Sequence, residues 1–177
     1  MAIPRQIRAC LFAMKTIGID PDDLLAGSGV SWAEVNALSA MSTDRIAQLL
    51  DQIAERAPRD AAIRTGQHGN IRDLGLVGCA LLNAVKWEGV MDIWERYHAI
   101  SDYPAAFTMT KSGGRWSIEM TPVMAMSDRA ARFLIEYSMV GFPRAFRNLT
   151  GIEPDIEAEW GIAEPSDLTC YEGLGFS

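Results

Sequence analysis

Histidine is the side chain that most often transfers protons in enzymes, and this chain has two, His68 and His98. His68 lies beside Gly69 in a predicted loop, so we expect it to be exposed and to have no catalytic role. His98 follows Tyr97 at a predicted helix end, where it either makes a structural hydrogen bond or contacts a ligand. A Ser-His-Asp or Cys-His arrangement would need one histidine to meet a distant nucleophile. The sequence therefore predicts a protein that is not an enzyme.

Motifs for metal ions and cofactors are missing as well. His-x-x-x-His and Cys-x-x-Cys do not occur, and the acidic residues are scattered over predicted solvent faces. The pair Gly113-Gly114 lies in a predicted hairpin turn and lacks the strand–loop–helix context of a phosphate-binding loop. We therefore expect no metal ion and no cofactor.

Arginine occurs in pairs three residues apart, a spacing that places both side chains on one face of a helix. Such a fork could hold a carboxylate or a phosphate. The alternative, which we favour, is a solvated face that balances the excess of acidic residues. Arg144 is the best ligand candidate because it follows Pro143, where a kink would open the helix wall. The pairs are Arg5/Arg8, Arg56/Arg59, Arg129/Arg132 and Arg144/Arg147.

Aromatic side chains could line an apolar pocket, with tyrosine hydroxyls as its polar groups. The more frequent alternative is that they simply fill the core. The aromatic set comprises Trp87, Trp94, Tyr97, Phe107, Trp116, Tyr137 and Trp160. Together with the histidine and arginine candidates, it yields a predicted ligand-binding set of Trp94, Tyr97, His98, Phe107, Trp116, Tyr137 and Arg144.

Composition limits the class of protein. The 177 residues are 49% hydrophobic and 22% charged, which fits one globular domain over residues 1–177. A net charge of −7 argues against direct binding to a nucleic-acid backbone. The sequence has no signal peptide pattern and no apolar run long enough to cross a membrane. Three separated cysteines indicate a reduced, cytoplasmic protein.

The first half of the chain predicts short helices with short connections. Asp20-Pro21 and Ser31 are typical helix starts, the second with the spacing of a capping box, and Ser42 opens a longer helix. The predicted helices cover residues 4–16, 20–27, 31–38, 42–56 and, as a single turn, 60–64.

In the second half of the chain, the spacing of apolar residues changes after Ser101. Apolar residues alternate with polar ones on both sides of residues 111–114, which predicts a β-hairpin. A long helix should run from Ser127 or Asp128 to about Leu149, with a kink near Val140 caused by Pro143. Residues 156–160 predict a third strand, and residues 164–173 a last helix. The fold class is therefore α+β, a helical bundle packed on a small antiparallel sheet.

Residues 73–98 carry the most specific pattern. Gly75 and Gly78 leave one face of a helix nearly bare, so that it can lie flush against another backbone, and Leu76, Cys79 and Leu82 form the bulkier face, with Leu81 as a further candidate. The segment Asp-Leu-Gly-x-x-Gly-x-Ala-Leu-Leu, a polar break, and a second helix ending in Tyr-x-x-x-Ser-Asp resembles the N-terminal effector domain of AraC/XylS-type transcription regulators. The likeness extends from Gly18 to the tail at Tyr171.

This resemblance implies a domain that binds a small-molecule effector, forms a homodimer and biases helix-turn-helix units that bind DNA. The chain stops about where relatives would carry those units, so we expect either a piece of a longer protein or a short sensor that acts through protein contact. DNA would then be bound only through a domain absent here. The alternative function is a stand-alone protein that binds an apolar or aromatic small molecule without a DNA-binding role.

Overall fold

The computed structural model describes residues 4–84, 86–100, 103–113, 115–151 and 171, and it confirms the α+β class. The helices are α1 (Arg5–Thr16), α2 (Pro21–Leu25), α3 (Trp32–Asn36), α4 (Thr43–Arg56), α5 (Ala61–Gly66), α6 (Gly75–Leu81), α7 (Trp87–Tyr97) and α8 (Asp128–Thr150). Two 3₁₀ helices, Ile71–Leu74 and His98–Ile100, directly precede α6 and follow α7. None of the described helices combines the length and apolarity needed to cross a bilayer.

Polar side chains start the helices at the predicted places. The Asp20 carboxylate accepts a hydrogen bond from the backbone N–H of Asp22. Ser31 and Glu34 form the predicted capping box, in which each side chain accepts from the other residue's backbone N–H. Ser42 and Ser127 cap α4 and α8 with their hydroxyl oxygens, which accept hydrogen bonds from the backbone N–H groups of Arg45 and Ala130. These bonds satisfy N–H groups that a helix start would otherwise leave without a partner.

The strands β1 (Ala105–Ser112) and β2 (Arg115–Pro122) form the predicted hairpin. They are antiparallel, with Phe107 opposite Met120 and Lys111 opposite Trp116. The predicted third strand at 156–160 and the last helix from 164 lie outside the described residues, apart from Tyr171.

Helix α8 runs through Pro143 as one element and ends at Gly151, whose left-handed φ of 71° suits a glycine. The kink near Val140 therefore stays a prediction. α8 packs against α4, α5, β2 and the 3₁₀ helix Ile71–Leu74, so it touches both halves of the molecule.

Buried apolar side chains form two clusters, and α8 contributes to each. The N-terminal core is built from α1, α2, α4, α5 and the first part of α8, and includes Leu11, Met14, Ile46, Leu49, Ile53, Phe133 and Tyr137. The sheet-side core is built from residues 71–107 and a different set of α8 side chains, and includes Val77, Leu81, Trp94, Phe107, Leu134 and Phe146. Because α8 is shared, the two cores meet along it.

The predicted close contact at α6 is confirmed for Gly78. A Cβ atom there would overlap the carbonyl oxygen of Ile71, so only a glycine lets the two turns approach. Gly75 meets the Arg5 side chain instead of a backbone, and its φ is 61°. The bulkier face formed by Leu76, Cys79 and Leu82 is exposed to solvent. Leu81 does not belong to it, because it lies fully buried beside Gly78.

Candidate functional site

Trp94 lies at the centre of an aromatic cluster in the sheet-side core. Its side chain is 0% exposed, and the rings of Tyr103, Phe107 and Phe142 meet it edge-on at centroid distances of 6.4, 4.9 and 5.4 Å. Such edge-to-face contacts stabilise a core beyond the area that they bury. Of the predicted ligand-binding set, Trp94 and Phe107 are thus brought together as packed core residues.

His98 lies at the end of α7 and packs on Trp94. Its ring is stacked on the indole at 6.3 Å, and its Nδ1 lies 3.0 Å from the Trp94 carbonyl oxygen and 3.1 Å from that of Glu95. A carbonyl oxygen can only accept, so Nδ1 carries the proton in this bond. The structural hydrogen bond considered from the sequence is therefore present.

The remaining predicted residues are spread over the molecule. Tyr97 is 40% exposed, and Arg144 is exposed on α8. His68 is exposed in the loop after α5, as expected. Trp116 occupies its position on β2 opposite Lys111, and Trp160 lies outside the described residues. Tyr97 and Arg144, both exposed, therefore do not lie in the buried cluster around Trp94.

Tyr137 is the predicted ligand residue that does line internal space. It is buried on α8 and forms a wall of two adjoining cavities, which also share Gln6 of α1. The first cavity, of about 20 Å³, is lined mainly by the N-terminal core and includes Cys10 and Phe133. The second, of about 30 Å³, includes Asn70, Asp73, Tyr103, Gly141 and Phe142. We call this pair of cavities, at the boundary between the two cores, the seam.

Gln6 supplies the most unusual polar group of the seam. Its side chain is 3% exposed, and its Nε2 donates a hydrogen bond to the Asp73 carbonyl oxygen at 3.2 Å. Its buried Oε1 has no hydrogen-bond partner among the described residues. A buried acceptor without a donor costs about 1–3 kcal/mol. Gln6 can therefore accept a hydrogen bond from a molecule that enters the seam.

Tyr103 and Ser138 form a directed chain of hydroxyl groups beside the second cavity. Ser138 donates its one hydroxyl hydrogen to the Leu134 carbonyl at 2.6 Å, so Tyr103 must donate to Ser138 across their 2.6 Å contact. Burial raises the pKa of Tyr103 to about 12, and burial likewise raises the pKa of Tyr137. Both phenols stay protonated at neutral pH, and the Tyr103 oxygen remains able to accept.

Ionisable groups at the seam are acidic or neutral. Burial raises the pKa of the half-buried Asp73 carboxyl, opposed by a backbone hydrogen bond from Asn70 and by the charge of Arg8. Burial also raises the pKa of the Cys10 thiol to about 12, so this thiol stays protonated at neutral pH. The described residues that line the two cavities include no lysine, arginine or histidine. The seam is therefore suited to a hydrogen-bond donor and unsuited to an anion.

A metal ion has no evident place in the described ranges, where histidine, cysteine, aspartate and glutamate nowhere form a group of three suited to one. The cavities themselves, of about 20 and 30 Å³, are small compared with the sites that hold small-molecule ligands. Binding of anything larger requires the seam to open.

Sequence reasoning missed Gln6, Asp73 and Tyr103. One signal was available for Gln6. Positions 6, 7, 10, 11 and 14 lie on one face of α1, and all are buried, so Gln6 is a polar residue on an apolar helix face. Such a position needs a partner or a function.

Comparison with known proteins identifies a family for this chain. Residues 18–174 match the family model described as the arabinose-binding domain of AraC transcription regulators, N-terminal. The matched range includes Asp73, Tyr103 and Tyr137, and begins after α1. No curated protein matches the chain.

Proposed function

This chain belongs to the N-terminal arabinose-binding domain family of AraC transcription regulators, and from that premise we propose that it binds a small-molecule effector at the seam. The observation that carries the proposal is the buried Oε1 of Gln6, which has no donor within the described residues. An effector that supplies a hydroxyl or amino hydrogen would satisfy it. The gain is the cost that a buried acceptor without a donor otherwise carries.

The chemistry of the seam limits the effector. Gln6 Oε1, the Asp73 carboxyl and the Tyr103 oxygen are all hydrogen-bond acceptors, and the described lining holds no cation. A carboxylate or phosphate buried there would have no counter-charge, which is costly in a protein interior. The effector is therefore a neutral or cationic molecule with several donors.

Binding has to be coupled to opening, because cavities of about 20 and 30 Å³ are much smaller than a site that holds a small-molecule effector. The seam lies between two cores that share α8, so a small shift of α1 or α8 against the other core would enlarge it. An effector that binds only the open arrangement shifts the population toward it. The closed and open arrangements of the seam differ in structure, and a regulator can pass this difference on to a DNA-binding domain.

In this proposal DNA is bound by another domain, which is either attached to this one or part of a partner protein. The net charge of −7 would repel the phosphate backbone of DNA. This domain therefore acts on the DNA-binding domain and not on DNA itself. We further propose that the domain works as a homodimer, which sedimentation equilibrium with and without effector would test.

The experiment is a thermal-shift panel in which neutral polyols, amines and carboxylates of matched size are compared. An effector at a hundredfold excess over its Kd should raise the Tm by about 5–10 °C. The shift should be lost in Gln6→Met, which keeps the side-chain length but has no oxygen acceptor. The matched control is Gln48→Met, at an exposed position of α4. A panel without any stabilising compound, or an equal shift in both variants, would contradict the proposal.

A further inference from the structure

Trp94 carries a buried N–H group that its aromatic neighbours leave unsatisfied. The side chain is fully buried, and within the described ranges its Nε1 has no hydrogen-bond acceptor. An indole N–H that is removed from water usually finds a partner, because a buried donor without one costs stability. Native proteins hold few such groups, so the Trp94 donor calls for a physical explanation.

The Trp94 donor has a counterpart in the Gln6 acceptor. Among the residues that the structure describes, Trp94 Nε1 and Gln6 Oε1 are the two buried nitrogen or oxygen atoms of side chains that lack a hydrogen-bond partner. The indole nitrogen can only donate, and the amide oxygen can only accept. They are not bonded to each other. A molecule that carries both an acceptor and a donor could therefore satisfy the pair.

Both groups adjoin the second cavity of the seam. Gln6 lines this cavity directly, and so do Tyr103 and Phe142. The rings of Tyr103 and Phe142 pack edge-on against the Trp94 indole at centroid distances of 6.4 and 5.4 Å. The indole is therefore one ring contact away from the cavity that Gln6 lines.

The two rings that cover the indole lie closer to solvent than the indole itself. Tyr103 and Phe142 are each partly exposed, whereas Trp94 is fully buried. A hydrogen bond to Ser138 holds the Tyr103 hydroxyl. Phe142 has no polar group, so its ring can turn toward solvent without breaking a side-chain hydrogen bond. Such a rotation would extend the second cavity to the Trp94 indole, and partly exposed side chains change rotamer readily.

We propose that Trp94 is the second hydrogen-bonding residue of the effector site, where the effector bridges Trp94 Nε1 and Gln6 Oε1. The inference rests on the proposed effector function and narrows its ligand class. A carbonyl oxygen accepts from Trp94, an O–H or N–H group donates to Gln6, and an apolar body between them replaces the Phe142 ring against the indole. The effector is therefore a neutral carbonyl compound that also carries a hydroxyl or amide N–H group.

Three probes of equal size test this bridge. Para-hydroxyacetophenone has a hydroxyl and a carbonyl group at opposite ends of one ring. Para-isopropylphenol keeps the hydroxyl but lacks the carbonyl, and para-methylacetophenone keeps the carbonyl but lacks the hydroxyl. Binding to the full chain is followed through the indole N–H signals of its five tryptophans in a nitrogen–proton correlation spectrum. The Trp94 signal is the one that disappears in Trp94→Phe.

Para-hydroxyacetophenone should move the Trp94 N–H proton signal downfield, because a hydrogen bond forms there, and para-isopropylphenol should not. Trp94→Phe keeps an aromatic ring but removes the N–H group. It should therefore weaken the binding of para-hydroxyacetophenone about tenfold more than that of para-isopropylphenol. The ratio of the two affinities separates loss of the N–H group from the change in ring size.

Gln6→Met supplies the reciprocal comparison. It should weaken the binding of both phenols and leave that of para-methylacetophenone unchanged, since this probe has no donor. The matched control is Trp32→Phe, at a partly buried tryptophan of α3 that lines neither cavity. It should alter no affinity. If Trp94→Phe does not fold, single phenylalanine variants of the other four tryptophans assign the Trp94 signal by elimination, and its movement alone decides.

An unmoved Trp94 signal with para-hydroxyacetophenone, or equal losses for the two phenols in Trp94→Phe, would overturn the role of Trp94. The effector proposal would survive that result, because it depends on Gln6 and on thermal shifts. Conversely, a moving Trp94 signal with unchanged binding to Gln6→Met would overturn the bridge at Gln6, on which the proposed function depends, and leave the contact with Trp94 in place.

Discussion

Gln6 of α1 and Tyr137 of α8 are the two residues that line both cavities of the seam, although 131 positions separate them in the chain. One belongs to the first helix and the other to the last helix described. Their meeting places a buried acceptor and a buried phenol at the boundary between two apolar cores. The packing and the charges around this boundary can each be tested by substitution.

Gln6→Met should change the free energy of unfolding by less than about 1 kcal/mol. The substitution removes the hydrogen bond from Nε2 to the Asp73 carbonyl, which costs stability, but it also removes an acceptor that lacks a donor. These two effects are similar in size and opposite in sign. Urea unfolding, followed by circular dichroism, measures the difference. A loss of several kcal/mol would mean that Oε1 has a partner in the folded protein.

Gly78→Ala should destabilise the protein by roughly 2–3 kcal/mol or more, because the added methyl group would collide with the Ile71 backbone. Gly89→Ala is the control. Its new Cβ would come no closer than 3.8 Å to Ala84, so the helix should gain about 0.5–1 kcal/mol from the better helix former. The free energy of unfolding should therefore fall in Gly78→Ala and rise in Gly89→Ala. Equal changes in the two variants would show that Gly78 and the Ile71 backbone are not in close contact.

Trp94→Ala should cost about 3–5 kcal/mol, because the side chain is fully buried among three aromatic rings and leaves a cavity. Tyr97→Ala, three residues further along α7, should cost less than about 1 kcal/mol because that ring is partly solvated. Chemical denaturation of both variants provides the comparison. Similar losses would mean that Tyr97 is covered in solution, for instance by a second copy of the chain.

Asp73→Asn should make stability less sensitive to pH. Burial raises the pKa of Asp73 in the folded state above its ordinary value of 3.8, so the folded protein binds this proton more tightly than the unfolded chain. The contribution to stability is therefore present in full below the unfolded pKa and is lost as pH rises through the folded pKa. Between these two values the parent protein should lose stability relative to Asp73→Asn.

The measurement is the urea midpoint between pH 3.5 and neutral pH for the parent, Asp73→Asn and the exposed control Asp92→Asn. The urea midpoints of the parent and of Asp92→Asn should depend on pH in the same way. The midpoint of Asp73→Asn should rise relative to both as pH increases. If the midpoint of Asp73→Asn instead falls relative to the parent as pH rises, the Asn70 hydrogen bond and the Arg8 charge outweigh the effect of burial on the Asp73 pKa.

Much of the fold was predictable because its signals are local. The Ser31/Glu34 box, the glycine turn of the hairpin and the apolar spacing of α4 each depend on residues within one or two turns of each other. The most specific part of the family pattern was equally local, since it lies within residues 73–102. The aromatic candidates were less predictable, as Trp94 and Tyr97 show, because spacing alone does not tell how far a neighbouring element extends over a helix.

The sequence by itself determined the helices, the hairpin, the α+β class and the family, because backbone capping, side-chain periodicity and turn chemistry act over a few residues. Only the tertiary structure decided the site. Gln6, Asp73, Tyr103 and Tyr137 come together because α1, the 3₁₀ helix, the segment before β1 and α8 converge between two cores. That convergence depends on how apolar faces from distant parts of the chain pack, and burial of this kind is a property of the whole fold.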